Sequence, residues 1–145
     1  MAYTVKKVDV WVGDILNRPG SLARVLEGLG NAGTELEFLI ARRVSETTSR
    51  VFLAPIKGAK QQRAAADVGL VRATKMQSLR IEGPDRAGLG ADITRAVADQ
   101  GINLRGASAA SIGRKAVCYL AVESEAEHKN AVRVVRKMLS KSGRR

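Results

Sequence analysis

The sequence predicts an α+β fold in which one strand–helix–strand–strand–helix–strand unit is used twice. Three observations carry that prediction. The chain has 145 residues, the length of two small domains. Its residue pattern recurs at an offset of 68: Asn17-Arg-Pro-Gly20 falls on Asp85-Arg-Ala-Gly88, and Gly33-Thr-Glu-Leu36 on Gly101-Ile-Asn-Leu104. Within each copy the apolar spacing changes from two, the period of a strand, to about 3.6, the period of a helix.

In the first copy Val8, Val10 and Val12 alternate as a strand, and Leu22, Val25, Leu26 and Leu29 then fall at helical spacing. Pro19 suits a first helical turn because it has no amide hydrogen to leave unpaired, and Gly30 and Gly33 suit the end, so this helix is expected from Pro19 to Gly33. Leu36–Val44 and Arg50–Ile56 around Ser45-Glu-Thr-Thr48 read as a hairpin. A short alanine-rich helix over Lys60–Val68 follows, and Gly69-Leu-Val-Arg72 is the candidate fourth strand. The second copy repeats the order with strand Leu79–Ile81, helix Ala87–Asp99, and strands Leu104–Ile112 and Val117–Glu123 around Gly113-Arg114. Its final helix carries Ala131, Val132, Val135 and Leu139 on one face. Ser140–Arg145 has no strand character, so the second sheet is expected to lack its fourth strand. The first strands are out of register between copies, since Leu79 and Ile81 land on Trp11 and Gly13. A one-residue bulge at Gly13 would reconcile them. The expected division is 1–74 and 75–145.

With 45% hydrophobic residues the chain has material for packed cores, yet only 3% is aromatic: Tyr3, Trp11, Phe38, Phe52 and Tyr119. One cysteine, Cys118, excludes an internal disulfide and a cysteine-rich metal site, and one histidine, His128, leaves little for histidine-centred catalysis. His128, next to Glu123-Ser-Glu-Ala-Glu127, reads as a surface residue, and Cys118 as a small buried hydrophobe. No run of eighteen apolar residues suggests a membrane span, and Met1-Ala-Tyr-Thr-Val-Lys-Lys7 has no apolar signal region, so a soluble, cytoplasmic protein is expected. No nucleotide fingerprint is present: Gly83–Gly90 has neither the Walker nor the dinucleotide spacing. No cofactor or metal is expected.

The two loops Asn17-Arg-Pro-Gly-Ser-Leu22 and Asp85-Arg-Ala-Gly-Leu-Gly90 stand where a strand hands over to a helix. Helix starts present unpaired amide hydrogens and a partial positive charge, which suit a ligand carboxylate. A tight turn with no ligand needs the same residues, and the loops alone do not separate the two uses. The run Asn17-Arg-Pro-Gly-Ser-Leu-Ala-Arg-Val-Leu26 with Asn31-Ala-Gly-Thr-Glu-Leu36 resembles the ACT-domain signature. Gly83-Pro-Asp-Arg-Ala-Gly88 with Asp99-Gln-Gly-Ile-Asn-Leu104 resembles it a second time, so the likeness spans nearly the whole chain.

That resemblance implies ferredoxin-like βαββαβ units that bind amino acids or similar effectors and regulate enzymes, transporters or transcription. It also implies ligand sites where two units meet, a strand-to-helix loop facing a helix-to-strand loop. Carried over by position, Asn17 with the backbone of Arg18, Pro19, Gly20 and Ser21 forms one wall and Asn103 with Leu104 the other. Two carboxamides can accept from an ammonium and donate to a carboxylate, as a zwitterion requires. The second pairing would set Asp85, Arg86 and Gly88 against Glu35, bringing two acidic groups together. The sequence departs from the family here, with Ala87 in place of the usual proline and Glu35 in place of asparagine. One effector site is therefore expected, the second being vestigial or specialised for a cation.

The rival reading is a basic ferredoxin-like nucleic-acid module, since the formal net charge is +11. Residues 1–74 and 75–145 each contribute to that excess, so it looks diffuse. RNA-recognition modules stack bases on aromatic side chains of central strands, and Ala116–Leu120 and Ser49–Leu53 offer one ring each, which disfavours nucleic acid. No clustered acid, base and nucleophile remains for catalysis. The expectation is a non-enzymatic regulator, binding a small molecule such as an amino acid and acting in trans on a metabolic enzyme or regulator. Open sheet edges favour self-association, so a homodimer is expected, an enzyme partner being the other candidate.

Overall fold

A computed structural model describes residues 2–142. In chain order the elements are β1 (Thr4–Val8), β2 (Trp11–Leu16), α1 (Ser21–Asn31), β3 (Phe38–Arg43), β4 (Thr48–Ala54), α2 (Gly58–Asp67), β5 (Val71–Arg72), β6 (Gln77–Pro84), α3 (Leu89–Ala98), β7 (Gly106–Ile112), β8 (Lys115–Val122) and α4 (Glu125–Ser142). They form two compact units, an inserted one of residues 9–73 and a split one of residues 1–8 with 74–145. The α+β class with two antiparallel four-stranded sheets is as the sequence predicts.

The inserted unit has strand order β3-β4-β2-β5, the ferredoxin-like arrangement of a βαββαβ chain. Trp11, Val51 and Leu53 from the sheet bury against Val25 and Leu29 of α1 and Ala65 of α2. The fourth strand is short, Val71 and Arg72 pairing with Val12 and Trp11. The bulge expected at Gly13 is not there: Trp11 to Leu16 pair without interruption with Leu53 to Thr48. Gly13 instead occupies the place of Ile81 in the repeat, and a Cβ there would lie 2.5 Å from the carbonyl oxygen of Gly69 and 2.9 Å from Leu70 Cδ2. The backbone of Gly69 and the side chain of Leu70 fill the volume that Ile81 fills in the other unit. At this position the copies differ by substitution of a core element, with no bulge in β2; the one-residue difference between them lies in the hairpin, where Leu53 pairs with Leu39 and its counterpart Leu120 with Ala107.

The split unit has strand order β1-β6-β8-β7. Its fourth strand comes from the start of the chain: Thr4–Val8 pair antiparallel with Glu82–Ser78 of β6. Val5, 6% exposed, joins Leu79, Ile81, Ile93, Val97, Leu120 and Val135 in one core. Arg136 of α4 donates to the Val5 carbonyl at 2.7 Å. This corrects the expectation of a missing strand and moves residues 4–8 out of the expected 1–74 unit. The Val8-Val10-Val12 alternation misleads because Asp9 and Val10 lie between two strands that belong to different sheets. Ser140 to Ser142 extend α4, and 143–145 lie outside the described residues.

Helix boundaries follow their caps. α1 and α3 begin two residues later than expected, at Ser21 and Leu89, because Gly20 (φ 89°) and Gly88 (φ 82°) take left-handed cap conformations that Pro19 and Ala87 could not adopt. In α4 the Ser124 hydroxyl accepts from the Glu127 amide at 3.1 Å, while Glu127 Oε1 accepts from the Glu123 amide at 3.2 Å, a reciprocal capping arrangement. His128, expected at the surface, is 7% exposed, its Nε2 3.1 Å from the Ser78 carbonyl. It lies on the helix face that carries Ala131, Val135 and Leu139. Cys118 is half-buried against the core, and burial pushes its thiol pKa up.

Candidate functional site

The loop between β2 and α1 is held in place by the hairpin turn between β3 and β4. Ser45 Oγ accepts from the amides of Thr47 and Thr48 at 3.2 and 3.1 Å, which fixes the turn. The Asn17 amide then donates to the Thr47 carbonyl at 2.9 Å, and its carboxamide Nδ2 donates to the Glu46 carbonyl at 3.0 Å. Ser49 Oγ donates to Asn17 Oδ1 at 3.4 Å. Asn17 is thus a positioned group, and its oxygen keeps a second lone pair for another donor. Beyond it Gly20 turns the chain into α1, whose start has no side-chain cap.

Arg18, Pro19, Gly20 and Ser21 line one cleft of about 450 Å³ together with Arg24 of α1 and Asp67 at the end of α2; Asn17 does not line it. The sequence brought four of the candidate residues into this cleft. It missed Arg24 and Asp67, of which Arg24 had a legible signal: at offset 68 it falls on Asp92, a reversal of charge inside the repeat.

The second loop has the same backbone plan and a different electrostatic state. The Asp85 amide donates to the Arg114 carbonyl at 2.8 Å, tying loop to hairpin. Arg86 Nη2 lies 2.8 Å from Asp92 Oδ2 in the first turn of α3, and that hydrogen bond raises the guanidinium pKa. Asp85, Arg86 and Gly88 line a smaller cleft of about 300 Å³ with Ala109, Ser111 and Cys118. Glu35 is exposed and belongs to the inserted unit, Asp85 to the split unit. Asn103 is exposed in the turn after α3, and Leu104 packs on the split unit's core.

The aromatic rings offer little to bases. Tyr119 is 7% exposed, Arg80 lies over its ring and Arg42 over that of Phe52, each 5.9 Å from the centroid. Grouped by unit, the charge is uneven: residues 9–73 carry nine basic and seven acidic side chains, the rest of the chain sixteen and seven. Among the described residues no group of three His, Cys, Asp or Glu could hold a metal, and no helix is long and apolar enough to cross a membrane.

Two antiparallel βαββαβ-type sheets, each with a glycine-capped loop from strand to helix, define a tandem ferredoxin-like protein. The ACT-domain family model matches residues 77–140, within the split unit, and the inserted unit repeats the strand order of that unit. Among solved structures, a Bacteroides thetaiotaomicron protein is similar over 92% of this chain and 89% of its own, with 14% identity and a TM-score of 0.76. The ligand-free regulatory subunit of aspartate kinase from Thermus thermophilus matches over 95% and 97%, with 15% identity and a TM-score of 0.68. Clostridium acetobutylicum aspartate kinase, described as an allosteric enzyme, matches over 94% of this chain and 34% of its own, with 14% identity and a TM-score of 0.64. At these identities the likeness is one of fold. No curated protein sequence matches the chain.

Proposed function

We propose that this chain is an amino-acid sensor, without catalytic activity of its own, that regulates a metabolic enzyme in trans. The effector binds against the 17–21 loop, its carboxylate at the helix start, with Asn17 on one wall and Asn103 and the Leu104 backbone on the other. The observation that carries the reading is the cleft of about 450 Å³ built on Arg18 to Ser21, on a loop that Asn17 ties to the hairpin turn by hydrogen bonds. The ACT match supports a regulatory, small-molecule role. The regulatory subunit of aspartate kinase, which shares the fold along nearly its whole length, supports action on a separate enzyme. A cytoplasmic homodimer, in which a unit of one copy supplies the facing wall, fits this role. The Asp85, Arg86, Gly88 and Glu35 pairing is the lesser site, because Asp92 already occupies Arg86.

A thermal-shift screen of the full chain with the twenty amino acids tests the proposal. A ligand at a hundred times its dissociation constant adds about 2.7 kcal/mol of stability, and Asn17→Ala or Asn103→Ala should abolish the shift while leaving the unliganded melt cooperative. If no amino acid shifts the melt, the proposal fails.

A further inference from the structure

The cleft beside the 17–21 loop carries a charge pattern that the repeat lacks. Arg18, Arg24 and Asp67, all exposed, line it together. None of the three takes part in an ion pair among the described residues. In the other unit the residue equivalent to Arg18 is Arg86, which has Asp92 as its partner. The residue equivalent to Asp92 is Arg24, so the inserted unit has replaced the neutralising carboxylate with a second cation.

Two of these charges, Arg24 and Asp67, also sit where their own helices disfavour them. Arg24 lies in the opening turn of α1, where no acidic residue stands, and the partial positive charge of a helix start repels a cation. Asp67 is the last residue of α2, whose last turn has no basic residue, and the carbonyl end repels an anion. Two local preferences are violated within one cleft, by charges of opposite sign. A bound molecule with negative groups toward the arginines and a positive group toward Asp67 would relieve both, and local rules of this kind are broken most often where function requires it.

Two guanidinium groups and one carboxylate match one chemical class point for point. From this charge set we infer that the intra-unit cleft binds an acidic amino acid, with its two carboxylates on Arg18 and Arg24 and its ammonium on Asp67. Guanidinium–carboxylate pairs are charge-assisted and geometrically selective, which favours a dicarboxylate over a neutral amino acid. The inference rests on the proposed function and narrows it to a ligand class and to residues outside the Asn17–Asn103 pairing.

Isothermal titration of the full chain with L-aspartate, L-glutamate, L-alanine, L-lysine and succinate tests it. The expected result is binding of an acidic amino acid at least tenfold tighter than L-alanine, with succinate weaker because it lacks the ammonium. Arg24→Gln and Asp67→Asn should each weaken binding tenfold or more, and Arg24→Gln should narrow the margin between L-aspartate and L-alanine. Circular dichroism melts without ligand check that the variants fold. Asp92→Asn, in the paired loop of the other unit, should leave binding unchanged. If a neutral or basic amino acid binds best, sensitive to Asn17→Ala and indifferent to Arg24→Gln and Asp67→Asn, this inference is overturned and the proposed function stands. If no amino acid binds, both fall.

Discussion

Gly13 and His128 show how single residues set the packing here. Gly13 lets the Gly69 carbonyl and the Leu70 side chain approach β2, and the intruding atom is backbone, which cannot swing aside. Gly13→Ala should therefore destabilise the inserted unit by roughly 1–3 kcal/mol, the usual cost of overpacking. Urea unfolding followed by the fluorescence of Trp11, the chain's only tryptophan, measures it; an unchanged midpoint would show that the approach is loose. His128 is buried with its Nε2 3.1 Å from the Ser78 carbonyl, an acceptor, so the neutral tautomer carrying hydrogen on Nε2 fits. Burial, with Lys7 nearby, lowers its pKa from the ordinary 6.5, while the Ser78 carbonyl and Glu125 oppose the shift. Between the two values the unfolded chain binds the proton and the folded chain does not, so stability falls as pH drops below about 6.5. His128→Gln should flatten unfolding stability between pH 7 and pH 5, whereas an identical slope in the variant would contradict the assignment.

At the scale of elements, β1 is the informative piece. It leaves the sequence neighbourhood of the inserted unit to complete the sheet of the split unit, and Val5 is its anchor in that core. Val5→Ala removes two buried methyl groups and should cost roughly 2 kcal/mol. The loss should appear in the unfolding of the split unit, read by tyrosine fluorescence from Tyr3 and Tyr119. The Trp11 signal should move less, and a shift confined to Trp11 would return residues 4–8 to the inserted unit. The helices, hairpins and glycine-capped loops were legible because periodicity and turn chemistry act locally: Val25 and Leu29 mark the buried face of α1, and Gly20 and Gly88 mark its start and that of α3. β1 was not legible, because Lys6 and Lys7 mask its alternation and strand partnership is a long-range fact. His128 had a readable signal, its helical spacing to Ala131 and Val135, which its acidic neighbours outweighed. Of the candidate site, the loop residues could be read, while Asp67 reaches the cleft only through the packing of α2 beside α1.

For the whole molecule, the duplicated plan works as an internal control. One loop has an arginine neutralised within its own unit, and the other has two arginines and an aspartate around a cleft with no ion pair among the described residues. The concentration of positive charge in residues 1–8 and 74–145 adds non-specific attraction for polyanions, so any RNA binding should weaken steeply with salt. Filter binding across 50–300 mM salt measures this, and salt-resistant submicromolar binding would favour the nucleic-acid reading. The most direct measurement of effector binding is amide chemical-shift mapping of the ¹⁵N-labelled full chain, titrated with the amino acid that raises its melting temperature most. Binding at the 17–21 loop requires the largest shifts at Arg18, Gly20, Ser21 and the following turn of α1, with those of Asp85 to Gly90 smaller. Saturating ligand that leaves these amides unmoved, or moves only residues elsewhere, would contradict it.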